Sequence, residues 1–237
     1  MKTKILSLVI ILSALSTTYC MSAVVKETRT VGSFTKISAS GGVDVYFTQS
    51  NSQKIEIEAD EDLIKDIKTR VESGKLIIER EKKNLSWGNN KKSMKVYVSA
   101  PAIEEVNISG GVDFYCEELK CNSGFKLNAS GGADADITKL LVSKSTEILT
   151  SGGADIEIKN METKDCILSA SGGGDIDANI QASGNIEMNA SGGADIKVSG
   201  QAKQVNANAS GGSDINIRNL KYENIQSNKS GGSDIYK

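Results

Sequence analysis

Residues 186–198 read Ile186-Glu187-Met188-Asn189-Ala190-Ser191-Gly192-Gly193-Ala194-Asp195-Ile196-Lys197-Val198. Apolar and polar residues alternate on both sides of a Ser-Gly-Gly corner, the period of a strand rather than a helix. The string Ser-Gly-Gly-x-Asp occurs eight times, with its aspartates at Asp44, Asp113, Asp134, Asp155, Asp175, Asp195, Asp214 and Asp234. After a first gap of 69 residues the spacings are 21, 21, 20, 20, 19 and 20. That period is shorter than a propeller blade and suits one coil of a β-solenoid, whose coils stack at about 4.8 Å.

Aligning the copies on Asp resolves the columns. One residue after it stand Val45, Phe114, Ala135, Ile156, Ile176, Ile196, Ile215 and Ile235; three after it stand Phe47, Cys116, Ile137, Ile158, Ala178, Val198 and Ile217. Upstream, Phe125, Leu127 and Ala129 and their equivalents form a second inward set that ends in Ile225, Ser227 and Lys229. Each coil is therefore a strand, a corner, a second strand and a looser return. The corner glycines, among them Gly131, Gly132, Gly152, Gly153, Gly172, Gly173, Gly192 and Gly193, are expected where stacked coils leave no room for Cβ or the backbone needs positive φ.

Residues 24–108 are less regular. Residues 55–59, 76–79 and 94–98 read as strands and residues 72–75 as a hairpin turn, while 60–71 fit a short helix or an extended segment equally. The 69-residue gap has room for about three coils, one with a hairpin extension. The expected organisation is one domain over 24–237, irregular over 24–108 and regular over 109–237.

Lys2 and Lys4 precede an apolar run from Ile5 to Leu15, and small residues follow. This is the pattern of a signal peptide, residues 1–23, and the run is too short to span a bilayer. Cys20 raises lipoprotein processing, which the preceding Thr17-Thr18-Tyr19 fits poorly. With no later apolar run of that length, export without a transmembrane helix is expected. Cys116, Cys121 and Cys166 remain, an odd number that argues against a disulfide framework.

Composition removes several functions. Histidine is absent, which excludes Ser-His-Asp and Cys-His catalysis and imidazole metal sites. With 28 basic and 30 acidic residues, the formal charge of −2 gives no basic surplus for nucleic acid.

Phe34-Thr35-Lys36-Ile37, Gly41 to Phe47, Leu76-Ile77-Ile78, Lys95 to Pro101 and the later repeats resemble the head GIN domain family, labelled auto-transporter adhesins and common in Bacteroidetes. The resemblance covers nearly all of the chain beyond residue 23. It implies an all-β, right-handed, single-stranded parallel β-helix on an exported protein, and it supplies no catalytic residues.

The repeated aspartates alternate with inward residues and should form an outward ladder: Asp113, Asp134, Asp155, Asp175, Asp195, Asp214 and Asp234. Carboxylates about 5 Å apart repel by roughly 0.8 kcal/mol per pair even in water. Hydrogen bonds from the Ser hydroxyl or the Gly-Gly amides are the expected compensation. Calcium-binding β-roll repeats also combine Gly-Gly with Asp, which makes calcium the cofactor to consider. The period near 20 and a missing glycine depart from that pattern. Stacked carboxylates also suggest a glycosidase pair, but near-identical copies lack the asymmetry that separates acid from base. A non-enzyme is expected, either an adhesin or glycan-binding scaffold on the cell envelope or a periplasmic structural or envelope-stress protein. Candidate contacts to a surface glycan or matrix polymer are Trp87, Tyr46, Tyr97 and Tyr115, with Lys82, Lys83, Lys91 and Lys92 for anionic chains. Weak end-to-end self-association is expected through the strand edge of the last coil.

Overall fold

The computed structural model describes residues 23–81 and 93–237. Most of the expected signal peptide, with Cys20, lies outside the described residues, as do Trp87, Lys82, Lys83, Lys91 and Lys92.

The described chain starts with β1 (Val24–Arg29) and turns its first corner between β2 (Lys36–Ser40) and β3 (Asp44–Gln49). β4 (Lys54–Asp60), a 3-10 turn at Ile64–Asp66, the hairpin β5 (Ile67–Glu72) and β6 (Lys75–Arg80), and β7 (Met94–Ala100) follow. Seven strand pairs then repeat around Ser-Gly-Gly corners. These are β8 (Glu105–Ser109) with β9 (Asp113–Cys121), β10 (Phe125–Ser130) with β11 (Asp134–Val142), and β12 (Ser145–Gly152) with β13 (Ile156–Thr163). β14 (Asp165–Gly172) with β15 (Ile176–Ala182) and β16 (Asn185–Gly192) with β17 (Asp195–Gln201) continue the series. β18 (Gln204–Gly211) with β19 (Asp214–Lys221) and β20 (Asn224–Gly231) with β21 (Asp234–Tyr236) complete it.

The result is an all-β solenoid with two faces. The strands after the corners, extended by β7, β4 and β1, form an 11-stranded sheet, and the strands before them, extended by β6 and β5, a 10-stranded sheet. We call these the aspartate sheet and the serine sheet. Inward columns from both sheets merge into one hydrophobic cluster from Phe34 to Leu220. Val45, Phe114, Ala135, Ile156, Ile176, Ile196 and Ile215 are each at most 2% exposed. Among the described residues, Cys116, Cys121 and Cys166 are free and buried in the same core, and burial pushes each thiol up to about 12.

Coil order in space differs from coil order in sequence. β2 pairs in parallel with both β6 and β8, and β3 with both β7 and β9. The β6–β7 coil thus lies outside the earlier β2–β3 coil. This differs from the expected room for about three coils, one with a hairpin extension: among the described residues the gap holds one coil, inserted beneath the first, plus cap strands. β4 is antiparallel to β7, β1 to β4, and β5 to β6, so antiparallel strands close this end of the stack. Residues 60–71 resolve into the 3-10 turn and β5. The turn at Ser73 and Gly74 takes positive φ of 50° and 73°, as a tight hairpin demands.

The unequal spacings are absorbed in the aspartate sheet. β18 and β20 pair without a break from Gln204 to Gly211, whereas the β17–β19 register shifts between Lys197 and Ser199. Just past that shift, within β17 of the 19-residue coil, Gly200 has φ 107° and a Cβ position only 2.2 Å from the Ile180 carbonyl oxygen. No side chain fits.

Candidate functional site

Outward side chains recur at the coil spacing, so each face carries ladders. On the aspartate sheet one ladder is Asp113, Asp134, Asp155, Asp175, Asp195, Asp214 and Asp234, brought into register by parallel pairing. Its repulsion is offset by donors other than those expected. The Oδ1 atoms of Asp134, Asp155, Asp175, Asp195 and Asp214 accept the backbone N–H of the next coil's aspartate at 3.2, 3.1, 3.0, 3.2 and 3.1 Å. The parallel ladder alone puts that amide beside each carboxylate. The corner glycines also divide. Gly131, Gly132, Gly152, Gly172 and Gly192 have positive φ, whereas Gly153, Gly173 and Gly193 do not. A Cβ at Gly172 would lie 3.0 Å from the Gly152 oxygen.

Two residues further along the strand, a second outward ladder runs Tyr97, Tyr46, Tyr115, Asp136, Glu157, Asp177, Lys197, Asn216 and Tyr236. Between the two acidic runs lies a shallow depression of about 280 Å³ lined by Asp134, Asp136, Asp155, Glu157, Asp175 and Asp177. Burial, then the Glu157 carboxylate, raises the Asp136 pKa above the usual carboxylate range; burial, then Asp113, does so for Asp44. Lys197 Nζ holds Asp177 at 2.5 Å. Among the described residues no three His, Cys, Asp or Glu side chains group closely enough to hold a metal ion.

The tyrosines stack on one another. Tyr46 lies between Tyr97, at 5.2 Å between ring centroids, and Tyr115, at 4.9 Å. Lys26 Nζ sits 5.6 Å from the Tyr97 ring centroid and Lys95 Nζ 5.9 Å from that of Tyr46. The ring faces of Tyr46 are spent inside the stack, so a sugar would meet ring edges and hydroxyls. Burial, reinforced by Asp113, pushes the Tyr115 phenol up to about 12.

The serine sheet carries what the inward columns of the sequence did not single out. Lys75, Lys36, Glu105, Lys126 and Glu147 form an outer charged ladder, with Lys36 3.0 Å and Lys75 3.6 Å from Glu105 and Lys126 3.0 Å from Glu147. Beside it runs an uncharged ladder of Asn107, Asn128, Leu149, Ser169, Asn189, Asn208 and Asn228, then one of Ser109, Ser130, Ser151, Ser171, Ser191, Ser210 and Ser230. The asparagine and serine ladders flank a groove of about 590 Å³, the largest of those described. Asn128 Nδ2 donates to Asn107 Oδ1 at 2.5 Å, and Asn208 and Asn228 donate to Asn189 and Asn208 at 3.0 Å each. The signal was present in the repeats, one residue to either side of the inward alanine column.

A two-sheeted solenoid with residue ladders outside and an aliphatic core inside defines a repetitive surface-presenting protein. The sequence profile described as "Putative auto-transporter adhesin, head GIN domain" matches residues 33–146 and 142–236, and the chain belongs to that family. Its fold is similar to a crystal structure of a putative adhesin from Bacteroides fragilis, with TM-score 0.76 and 19% identity over 91% of this chain and 97% of that one. A putative adhesin from Parabacteroides merdae gives TM-score 0.63 and 20% identity over 90% of this chain and 96% of that one. A putative lipid binding protein from Parabacteroides distasonis gives 0.60 and 18% over 90% and 97%. No curated protein sequence matches significantly. Among the described residues no helix is long and apolar enough to cross a membrane.

Proposed function

We propose that this protein is a non-catalytic, exported binding scaffold of the cell envelope, an adhesin-type protein that holds a polymeric glycan on a repetitive face. The observation that carries this reading is the recurrence of the same outward side chains, coil after coil, on both sheets. A repeated surface matches a repeated ligand. General acid–base catalysis needs two carboxyls in unlike environments. Here five aspartates accept the same hydrogen bond from the same neighbouring amide. The family and the adhesins of similar fold support a surface role.

Protease shaving or antibody labelling of the native protein on intact cells tests this. Labelling without opening the outer membrane is the expected result. Protection until that membrane is opened would replace the adhesin reading with periplasmic scaffolding.

A further inference from the structure

We propose that the groove on the serine sheet, between Asn128 and Ser230, is a binding site for an uncharged, extended polysaccharide lying along the solenoid axis. This assignment rests on the glycan-binding reading above and names its site and ligand class.

The lining is amide and hydroxyl side chains over the backbone of the alanine column, whose methyls are buried in the core, with the half-buried Leu149 among them. Its one charged residue is Lys229, at the end of the groove, whose Nζ lies 2.9 Å from Asp234 Oδ1. An anionic polymer would find no free cation along the groove, and the carboxylate beside its wall, Glu187, already accepts from Asn189 Nδ2 at 3.0 Å. In a chain with 24% charged residues, that is selective.

The polar groups keep capacity for a ligand. Asn228 spends one N–H on Asn208, Asn208 one N–H and one lone pair on its two neighbours, and Asn189 one lone pair on Asn208 and one N–H on the Glu187 carboxylate at 3.0 Å, while an amide offers two of each. Among the described residues, no protein group bonds the hydroxyls of Ser130, Ser151, Ser191, Ser210 or Ser230, while Ser171 Oγ donates weakly to the Thr150 carbonyl at 3.5 Å. The two ladders thus offer paired donors and acceptors at every coil. From Asn128 to Asn228 the steps span roughly 24 Å at about 4.8 Å each. The half-buried Leu149 suits the C–H face of a sugar ring between its hydroxyl edges. A peptide would gain less along the groove, because every strand beneath it but the outermost, β20, already pairs on both sides and offers no edge for strand addition. The aspartate face is a weaker candidate, since its Oδ1 atoms are engaged by backbone amides.

The test uses the purified protein on an array of neutral and anionic polysaccharides and extended peptides, followed by calorimetry on any hit. Ser191→Tyr fills the groove, and Leu149→Glu places a charge in it without bulk. Glu157→Gln alters the opposite face, and circular dichroism checks each fold. The expected result is binding of a neutral glycan, unaffected by salt because no ion pair is involved, unchanged by Glu157→Gln and weakened about tenfold by each groove variant, the loss of roughly one good polar contact. Side-chain amide NMR signals of Asn189, Asn208 and Asn228 should shift on titration, a readout independent of the variants. Binding confined to anionic chains or peptides, or retained by both groove variants with unmoved amides, overturns the site. Retained glycan binding would still leave the scaffold reading standing. No polysaccharide bound at all overturns both.

Discussion

Asp175 accepts the backbone N–H of Asp195 through Oδ1 at 3.0 Å, while its own N–H donates to Asp155 Oδ1 at 3.1 Å. Each aspartate is both charge and clamp: its negative charge faces two like neighbours, and its oxygen ties the next coil's corner. Asn keeps the acceptor and removes the charge, whereas Ala removes both. Both variants relieve the same repulsion, roughly 0.8 kcal/mol per neighbour, so Asp175→Asn, which keeps the acceptor for the Asp195 amide, should be more stable than Asp175→Ala by about 1 kcal/mol, the usual net worth of such a bond. Urea unfolding of both variants checks this; equal losses would mean that the carboxylate contributes through charge.

The tyrosine stack makes a second prediction. Tyr46 has a ring on either side, and each aromatic pair contributes about 0.5–1.5 kcal/mol beyond burial. Tyr46→Ala should therefore cost about 1–3 kcal/mol, and Tyr46→Phe much less. A Tyr46→Ala protein that melts with the wild type would show that the stack is a consequence of the register and not a support.

This stack also marks where the sequence stops being readable. The strand–corner–strand coil, the inward columns and the buried cysteines follow from period-two alternation aligned on Asp. Tyr46 and Tyr115 fall in one column of that alignment. Tyr97 does not, because its coil carries no Ser-Gly-Gly corner and reaches Tyr46 only by insertion beneath an earlier coil. No local pattern encodes that insertion; it follows from closing the end of the stack with antiparallel strands, which removes an open edge. The donors to the aspartates were hidden for a similar reason, since a backbone amide has no side-chain signature. The asparagine and serine ladders were in plain view but carry no apolar signal.

Glycine substitutions should separate a strained strand position from an open corner position. Gly200 has φ 107° and backbone where a Cβ would go. Gly200→Ala should cost on the order of 1–3 kcal/mol in strain, with the clash in addition. Gly153 lacks positive φ and has nothing within 4 Å of its Cβ position, so Gly153→Ala should be neutral or stabilising by about 0.4–1 kcal/mol. Thermal melts of the two variants give the comparison, and a reversed order would refute the corner geometry.

Glu105 sets an acid limb. The Asn107 amide at 2.6 Å, then Lys36 at 3.0 Å, with Lys75 beyond, hold its pKa down at about 2 from an ordinary 4.5. A lowered carboxylate pKa means that its stabilisation is complete above 4.5 and is lost as pH falls from there toward about 2. Glu105→Gln should flatten stability against pH across that window and leave the slope above it unchanged. Denaturation midpoints measured from neutral to acid pH decide it; an unchanged acid limb would assign the loss to other carboxylates.

Lys229 guards the last coil. It stands in register with Ala209, in a column otherwise filled by Ala129, Thr150, Ala170 and Ala190, yet it is exposed and bonded to Asp234. β20 and β21 are the outermost strands of the two sheets at this end among the described residues. A charge in an inward position resists strand addition, because a docking coil would have to bury it. Self-association of the wild type through this edge should accordingly be weak, and Lys229→Ala should strengthen it about tenfold, the equivalent of roughly 1.4 kcal/mol. Asp234→Asn, which breaks the ion pair but keeps the ammonium, should not. Sedimentation velocity over a concentration series distinguishes them. If Lys229→Ala sediments like the wild type at every concentration, the lysine is not what limits stacking, and the expected end-to-end contact loses its support.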